Sequence, residues 1–384
     1  MITIKDKSDC CGCTACLNIC SHKAVIMVAD EKGFFFPKVD YDRCIDCRLC
    51  DKTCPILARK KTERKECFPD AYAVRLKEKD LLLKSSSGGA FTLIANYVLS
   101  KGGSVFGASY DDNLKVIHAR ITNKNELQKL RGSKYSQSEL GSIFNQVRAD
   151  LKDGMYVLFT GTPCQVDGLL HYLRKPYHNL ITADVICHSI PSPLFFEEYK
   201  HFIEDSYNDK LLSISMKDKT KGWGGDCIKY IFKSGKEIIN PEKCRSWVAI
   251  FESGLITRDS CFECQYTNLD RPSDFTIGDF WDFEHKRPDI KSKDGTSLIL
   301  LNTPKAVELF KMVKTEAYIW KTSVDEYMQP RLYTSSIKPS KYNRFWDDYY
   351  KYGFLHVYNR YCTISKIVIY KTRIIKLIRK IIKK

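Results

Sequence analysis

The side chains of this 384-residue sequence that carry the clearest chemical signal are its 17 cysteines. Two N-terminal runs share the spacing C-x2-C-x2-C-x3-C: Cys10, Cys13, Cys16 and Cys20, then Cys44, Cys47, Cys50 and Cys54. In this arrangement a short loop points three thiolates at one 4Fe-4S cluster, and the fourth cysteine reaches the neighbouring cluster. The spacing predicts two clusters, one on Cys10, Cys13, Cys16 and Cys54 and one on Cys44, Cys47, Cys50 and Cys20.

Structural zinc is the alternative for these runs. Zinc sites usually take two pairs of ligands, whereas C-x2-C-x2-C places three thiolates within seven residues. Two details depart from the usual cluster pattern: Ser21 follows Cys20 where proline is common, and Cys11 is a spare thiol beside the first ligand. Neither removes a ligand, and only Cys10 preserves the repeat.

A second group of cysteines lies farther along the chain: Cys164, Cys187 and the pair Cys261 and Cys264. Cys164 and Cys187 both follow apolar, strand-like runs, where the ligand sites of α/β sheets gather. These four thiols are predicted to form a third 4Fe-4S cluster, with zinc as the open alternative because spacing does not choose between them. An inert buried thiol is the other interpretation of Cys164. Cys227 and Cys244 are reserve ligands.

Elements that would position these cysteines can be read from the hydrophobic pattern. Residues 24–40 alternate apolar and polar side chains around Gly33, which predicts a β-hairpin between the two cysteine runs. After residue 70, strand-like runs (AYAVRL, GSVFGASY, KVIHARI, MYVLFTG, ITADVICHS) alternate with helical ones (GAFTLIANYVLSKG, VDGLLHYLRK, PLFFEEYKHFIED). This alternation is typical of an α/β domain. The segment Ser85-Ser86-Ser87-Gly88-Gly89 precedes a predicted helix and is either an anion site or a serine N-cap.

Composition is that of an ordinary globular protein, with 43% hydrophobic and 28% charged residues. The predicted fold class is α+β. The predicted divisions are a ferredoxin-like module with two 4Fe-4S clusters over 1–60, a linker over 61–70, a flavin-binding α/β domain over 71–340, and an aromatic segment with a basic tail over 341–384. Without an apolar N-terminal leader or a run of about 18 apolar residues, the expected location is the cytoplasm.

The C-terminal residues 366–384 carry eight basic and no acidic side chains, with isoleucines at helical spacing. The formal net charge is 62 − 46 = +16, so this tail supplies half of it. A basic amphipathic helix is predicted, whose partner is an anionic membrane surface at the inner face of the cell membrane, a protein, or the body of this chain. Nucleic acid is not an expected partner. The aromatic residues Phe345, Trp346, Tyr349 and Tyr350 are either an interface or core.

Several segments together resemble one known family, the coenzyme F420 hydrogenase/dehydrogenase beta subunits. They are SSSGGAFTLIANYVL, LRGSKYSQSELG, VLFTGTPCQVDGLL, VICHSIPSPLFFEEY, RDSCFECQY, RPSDFTIGDFW and GTSLILLNT. The resemblance implies FAD beside a 4Fe-4S cluster. It would place Ser87, Gly88 and Gly89 at the flavin pyrophosphate and Lys134, Tyr135, Gln137 and Ser138 against the flavin, with Thr162 and Cys164 nearby.

These observations are compatible with three functions. The first is an FAD- and iron–sulfur-dependent oxidoreductase, supplied by a redox protein or small electron donor, that reduces a small-molecule hydride acceptor. Similar chains act on coenzyme F420 or chlorophyll pigments, or look like accessory enzymes of surface polysaccharide synthesis, so the resemblance leaves the acceptor open. The second is an electron-transfer subunit that serves a partner catalytic chain. The third is a scaffold that uses its clusters for stability. Catalytic acid and base residues are not assigned.

Overall fold

The structure is a computed structural model that describes residues 1–58, 69–224, 227–239, 242–281, 287–290 and 292–362. Its strands are β1 (Val25–Ala29), β2 (Phe35–Val39), β3 (Asp70–Leu76), β4 (Ser104–Tyr110), β5 (Val116–Ile121), β6 (Val157–Gly161), β7 (Leu180–Val185), β8 (Leu211–Ser215), β9 (Lys229–Phe232), β10 (Glu237–Ile239), β11 (Phe275–Asp279), β12 (Ser297–Leu301) and β13 (Ala317–Thr322).

Its α-helices are α1 (Ala15–Ile19), α2 (Leu49–Thr53), α3 (Pro55–Ala58), α4 (Lys79–Leu83), α5 (Ala90–Ser100), α6 (Leu127–Leu130), α7 (Ile143–Lys152), α8 (Pro163–Leu173), α9 (Pro193–Tyr207), α10 (Glu242–Ser253), α11 (Pro304–Val313), α12 (Val324–Tyr327), α13 (Tyr342–Tyr352) and α14 (Phe354–Val357). Short 3-10 turns and one π-helical turn at Tyr358–Cys362 join them.

Eight strands form the main sheet in the order β13-β3-β12-β11-β7-β6-β4-β5. The four strands β4, β6, β7 and β11 are parallel, and antiparallel strands flank them on both sides. Parallel strands all end at the same edge of a sheet, so the segments after β6, β7 and β11 emerge side by side. This edge is where the sequence motifs after residue 160 come together.

Helices cover both faces of this sheet, which explains why its central strands are continuous apolar runs. Residues from α5 and α11, including Leu93, Ile94 and Phe310, pack on one face. Phe144 of α7 and Val166 of α8 belong to the cluster on the other face. The sequence thus correctly predicted a mixed α/β fold.

Three of these helices begin with the same local signal, a serine or threonine N-cap followed by proline. Pro163, Pro193 and Pro304 occupy the first positions of α8, α9 and α11. Proline is tolerated there because the first N–H groups of a helix have no intrahelical partner. Ser192 Oγ accepts from the Phe195 N–H at 3.0 Å, which satisfies one of those groups in α9.

A separate sheet, β10-β9-β8, packs with α9, α10, α13 and α14 around an aromatic cluster. Trp247, Phe345 and Trp346 are all buried in it. For Phe345 and Trp346, the core interpretation is therefore correct and the interface interpretation is wrong.

The N-terminal segment 1–58 contains the predicted hairpin, with Ala29 paired to Phe35 across the turn. It packs against the α/β body at α8: a Cβ on Gly168 would come within 2.8 Å of the Cys13 Sγ, so this close approach requires glycine. Asn18 adds a hydrogen bond from its Nδ2 to the Gly141 carbonyl at 2.9 Å.

The strands and helices predicted after residue 70 are confirmed as β3 to β7 and as α5, α8 and α9. Most of the linker 61–70, and the basic tail 366–384, lie outside the described residues. Among the helices that are described, none is long and apolar enough to cross a membrane.

Candidate iron–sulfur and flavin site

Both N-terminal cysteine runs adopt the same local geometry. Thr14 and Arg48, each following the second cysteine of its run, have left-handed φ values of 62° and 56° and begin α1 and α2. Cys20 and Cys54 cap the C-terminal ends of these helices in extended conformation. The tight turn gathers the first three thiols of a run, and the helix carries the fourth away from them.

Two cavities result, and each takes its fourth cysteine from the other run. One is lined by the "inner set", Cys10, Cys13, Cys16 and Cys54, and also by Cys11. The other is lined by the "outer set", Cys20, Cys44, Cys47 and Cys50. These are the sets that the spacing predicts.

The two cavities differ in their access to solvent. Cys10, Cys13 and Cys16 of the inner set are buried. The pKa of the Cys16 thiol is raised, and burial is the largest cause. Cys47 of the outer set is exposed. Backbone N–H groups point at two outer thiols: Ile2 N–H donates to Cys50 Sγ at 3.2 Å and Ala24 N–H to Cys20 Sγ at 3.3 Å. Such donors stabilise the negative charge of ligating thiolates.

The four later cysteines also converge; we call Cys164, Cys187, Cys261 and Cys264 the "third set". Cys164 lies in the first turn of α8 after β6, and Cys187 follows β7, so the parallel sheet brings these two loops together. The pairing of Pro191 with Thr257 draws the loop of Cys261 alongside. Burial and then the proximity of Cys261, Cys164 and Cys264 raise the pKa of Cys187 well above its ordinary value.

Cys11 lies between the inner and third sets. Its thiol neighbours Cys13 of the inner set and Cys164 of the third set. Interaction with Cys13 is the largest cause of its raised pKa. A thiol that the spacing left without a ligand role thus connects the two sets.

Within the described residues, no group of three or more His, Cys, Asp or Glu side chains is arranged to hold a metal ion. A cubane cluster spreads its four thiolates over four irons, so its ligands stand farther apart than those of one ion. Thiol donors around two cavities fit clusters in chemical type, and cluster ligation stays a prediction for all three sets. The side chain of Cys244 lies outside the described residues, and the reserve ligand Cys227 is buried.

The predicted pyrophosphate segment packs against the paired strands β3 and β12. A Cβ on Gly88 would come within 1.9 Å of the Val74 carbonyl oxygen, and Gly89 begins α5 with a left-handed φ of 92°. Ser87 Oγ donates to the Thr296 carbonyl at 2.7 Å. Both glycines are therefore required by the backbone itself.

The residues predicted to contact the flavin all have protein partners. Lys134 Nζ donates to the Arg131 carbonyl (2.7 Å) at the end of α6, and burial lowers its pKa to about 7. The Tyr135 ring lies 4.8 Å from that of Phe251. The backbone N–H of Thr162 donates to the side-chain oxygen of Gln165 at 3.0 Å. This hydrogen bond caps the N-terminus of α8.

The remaining two predicted contacts, Gln137 and Ser138, also have protein partners. Gln137 accepts a hydrogen bond from Arg258 at 3.1 Å, beside the N-terminal segment. Ser138 Oγ accepts from Gln165 Nε2 (3.0 Å) and lies 2.8 Å from the Nδ1 of buried His118. A flavin role for the predicted contact residues stays a prediction.

Sequence reasoning gave no role to several residues around Tyr135. Lys217 donates a hydrogen bond to Asp279, at the end of β11, and its charge acts on the neighbouring Tyr135. Burial alone would lower the pKa of Lys217, but Tyr135 and Asp279 raise it overall. His188 lies 4.8 Å from the ring of Trp281. One feature of the sequence could have identified these residues, namely a charged or aromatic residue directly after a strand-like run. Such residues meet at one edge of the sheet.

Lys219 joins this region to the predicted pyrophosphate segment. Its amine donates to the carbonyls of Ser87 (2.5 Å) and Asp294 (2.7 Å), and burial lowers its pKa to about 8. A second lysine, an aromatic pair and the glycine segment therefore surround the ends of β3, β7 and β11.

His118 yields a prediction about pH. Burial lowers its pKa to about 4, and its Nε2 lies 3.0 Å from the Thr160 carbonyl, which requires a proton on Nε2 and leaves Nδ1 to accept from Ser138. The neutral ring stabilises the fold above its unfolded pKa of about 6.5. As pH falls from 6.5 towards 4, about 3 kcal/mol of the free energy of unfolding should be lost.

The measurement is urea unfolding at pH 7 and pH 4.5 on the wild type and on His118→Gln, which retains a donor and an acceptor. Other groups also titrate in this range, so the difference between the two proteins is what counts. An equal loss in both would contradict a role for His118.

Comparison with known proteins places this geometry in a family. The family is the coenzyme F420 hydrogenase/dehydrogenase beta subunit, whose N-terminal model matches residues 71–145 and whose C-terminal model matches residues 154–327. The chain belongs to this beta-subunit family. The matched ranges contain the third set, the Ser87 segment and the Tyr135 region, whereas the inner and outer sets precede them.

One solved structure similar to this chain comes from the F420-reducing [NiFe] hydrogenase complex of Methanosarcina barkeri. It is 16% identical over 67% of this chain and 83% of that chain, with a TM-score of 0.43. No curated protein matches. Family membership supports an oxidoreductase or electron-transfer role for the beta-subunit part.

Proposed function

We propose that this protein is an iron–sulfur flavoprotein oxidoreductase. In this proposal the inner and outer sets hold two 4Fe-4S clusters, the third set holds another, and FAD binds near Tyr135 and the Ser87 segment. The substrate to be reduced is a hydride-accepting small molecule, either a deazaflavin such as coenzyme F420 or an intermediate of surface polysaccharide synthesis. The observation that carries the proposal is the sorting of eight cysteines into two cavities by crossed pairing.

The order of the sites follows from burial and contact. The outer set reaches solvent at Cys47, so a donor protein or small reductant would meet it first. The inner set is buried behind it, and Cys11 joins the inner set to the third set. Clusters transfer single electrons, whereas bound FAD would supply the two-electron chemistry by which two such electrons and one proton reach an organic acceptor as a hydride.

Side chains of this protein would bind and orient the flavin cofactor. Lys219 and the N-terminus of α5 are suited to an anionic group such as a pyrophosphate. The side chains of Tyr135, Phe251, His188 and Trp281 supply an aromatic wall for a flat ring. Lys217, held by Tyr135 and Asp279, supplies a fixed positive charge beside that wall.

The test is reconstitution with iron, sulfide and FAD under anaerobic conditions, followed by removal of unbound cofactor. We expect about twelve irons per chain and one releasable FAD, the visible flavin absorbance of which is bleached when dithionite reduces the clusters. Protein that retains iron but no flavin would instead be an electron-transfer subunit of a partner catalytic chain. Protein that retains neither would contradict the proposal. Lys219→Ala should lower FAD retention without changing the iron count.

A further inference from the structure

Arg258 lies fully buried where the N-terminal segment meets the α/β body. Its guanidinium donates hydrogen bonds from Nε to the Cys10 carbonyl (2.8 Å), from Nη1 to Gln137 Oε1 (3.1 Å) and from Nη2 to the Phe35 carbonyl (3.0 Å). It also lies over the Phe36 ring, 4.2 Å from the centroid. All of these acceptors are electrically neutral.

A buried arginine normally has an anionic partner, because an isolated charge is costly to remove from water. Among the residues that the structure describes, no carboxylate forms an ion pair with Arg258. The neighbouring Asp259 pairs instead with Lys32 (3.2 Å) and Lys338 (2.9 Å). Since a guanidinium does not lose its proton in proteins, Arg258 brings a fixed positive charge to this junction.

The groups that could balance this charge are the cysteine sets on either side. Arg258 holds the carbonyl of Cys10, which belongs to the inner set. Its own carbonyl accepts from the N–H of Cys261, which belongs to the third set, at 3.0 Å. Thiolates on both sides would therefore feel this cation.

We propose that Arg258 is a positioning residue whose charge raises the reduction potentials of the clusters on the inner and third sets. The inference deepens the proposed function and rests on it. Each one-electron reduction adds one negative charge to a set and moves no proton to or from Arg258, so the cation favours the reduced form. In a buried site this attraction is weakly screened.

A higher reduction potential at the inner and third sets agrees with the proposed order of electron transfer, from the outer set inward. The outer set lies toward solvent at Cys47, and the guanidinium contacts the inner set instead. Arg258 would thus make the inner and third sets better electron acceptors than the outer set. Electrons that arrive at Cys47 would be drawn inward.

Gln137 offers a way to alter this charge without removing it. Its Oε1 receives the Nη1 hydrogen bond, and its Nε2 lies so near Gly12 that a Cβ there would come within 2.4 Å of it. Gln137→Glu has nearly the same shape and places a carboxylate against the guanidinium. The substitution therefore neutralises the cation while leaving the packing of the junction in place.

The experiment is a redox titration of the reconstituted full chain, followed by electron paramagnetic resonance of the reduced clusters, in the wild type, Arg258→Gln, Arg258→Lys and Gln137→Glu. At a fixed potential, Arg258→Gln and Gln137→Glu should lower the ratio of reduced to oxidised inner and third clusters at least ten-fold. For a one-electron couple that is a shift of about 59 mV. The outer cluster should shift less and serves as an internal control.

Arg258→Lys keeps the charge but loses the forked hydrogen bonds, so it should restore most of the potential. Arg120→Gln, which removes an arginine that pairs with Asp150 instead, should leave all potentials unchanged. Unchanged potentials in Gln137→Glu, or an equal drop in Arg258→Lys and Arg258→Gln, would overturn the inference. If Arg258→Gln fails to retain iron, Gln137→Glu alone decides. Wild-type protein without clusters would overturn the proposed function itself.

Discussion

Replacing Cys54 by serine should remove the cluster of the inner set while the outer set keeps its own. Although Cys54 belongs to the second run in sequence, its thiol lines the cavity of Cys10, Cys13 and Cys16. Serine is a poor ligand for iron, so about four of about twelve irons per chain should be lost. Iron analysis and the spectrum of the reduced protein provide the measurement.

The matched substitution is Cys20→Ser, which should remove the outer cluster and leave the inner one, because Cys20 lines the cavity of Cys44, Cys47 and Cys50. Cys362→Ser is the control, because Cys362 is buried in the aromatic cluster and belongs to none of the three sets. If Cys54→Ser disturbs the signal that Cys44→Ser also removes, the runs do not exchange their fourth cysteines. The crossed assignment would then be wrong.

The grouping of the N-terminal cysteines was predictable because it depends on local spacing. Three thiols on one turn and a fourth after a short helix are settled within about ten residues. The predicted strands and helices after residue 70 were confirmed for the same reason: continuous apolar runs and helical spacing report burial locally. The N-cap and proline pairs at Thr162 and Ser192 are equally local signals.

Other features depended on contacts between distant segments and were not predictable. The main sheet gains antiparallel strands β12, β3 and β13 at one side, an order that no single segment encodes. The spare thiol Cys11 acquires its place only when α8 packs against the first cysteine loop. Arg258 looks like an ordinary charged residue in sequence, yet its three acceptors come from segments more than 100 positions away.

For the predicted flavin contacts, the structure adds protein partners that the resemblance does not specify. Lys134, in the segment GSKYSQS, is expected from the resemblance to contact the flavin, and its amine donates to the carbonyl of Arg131 at the end of α6. Gln137 from the same segment faces Arg258. Side-chain direction in a loop depends on the final packing, which motif spacing does not encode. The positions of Lys217 and Lys219, which come from other segments, were not predictable from the sequence for the same reason.

Replacing Arg271 by methionine should lower the free energy of unfolding by about 3–5 kcal/mol, because it would leave Asp184 buried without its cation. The two side chains are 1% and 0% exposed, and Arg271 Nη2 donates to Asp184 Oδ1 at 2.8 Å. The same nitrogen donates to the Val185 carbonyl at 2.9 Å, and Nη1 donates to that of Tyr266. Arg271 thus ties the loop of Cys187 to the loop that follows Cys264.

Without Arg271 the two loops should no longer hold the cluster of the third set, so the protein should lose about four irons per chain. The inner and outer sets should keep their clusters. Denaturant unfolding under reducing conditions and iron analysis report the two effects separately. The double substitution Arg271→Met with Asp184→Leu removes the stranded charge as well, so it should recover most of the stability but not the third cluster. Full recovery of iron in that double variant would show that the loops need no arginine to hold the third set. A loss below about 1 kcal/mol in Arg271→Met would contradict the need for a cation beside the buried Asp184 carboxylate.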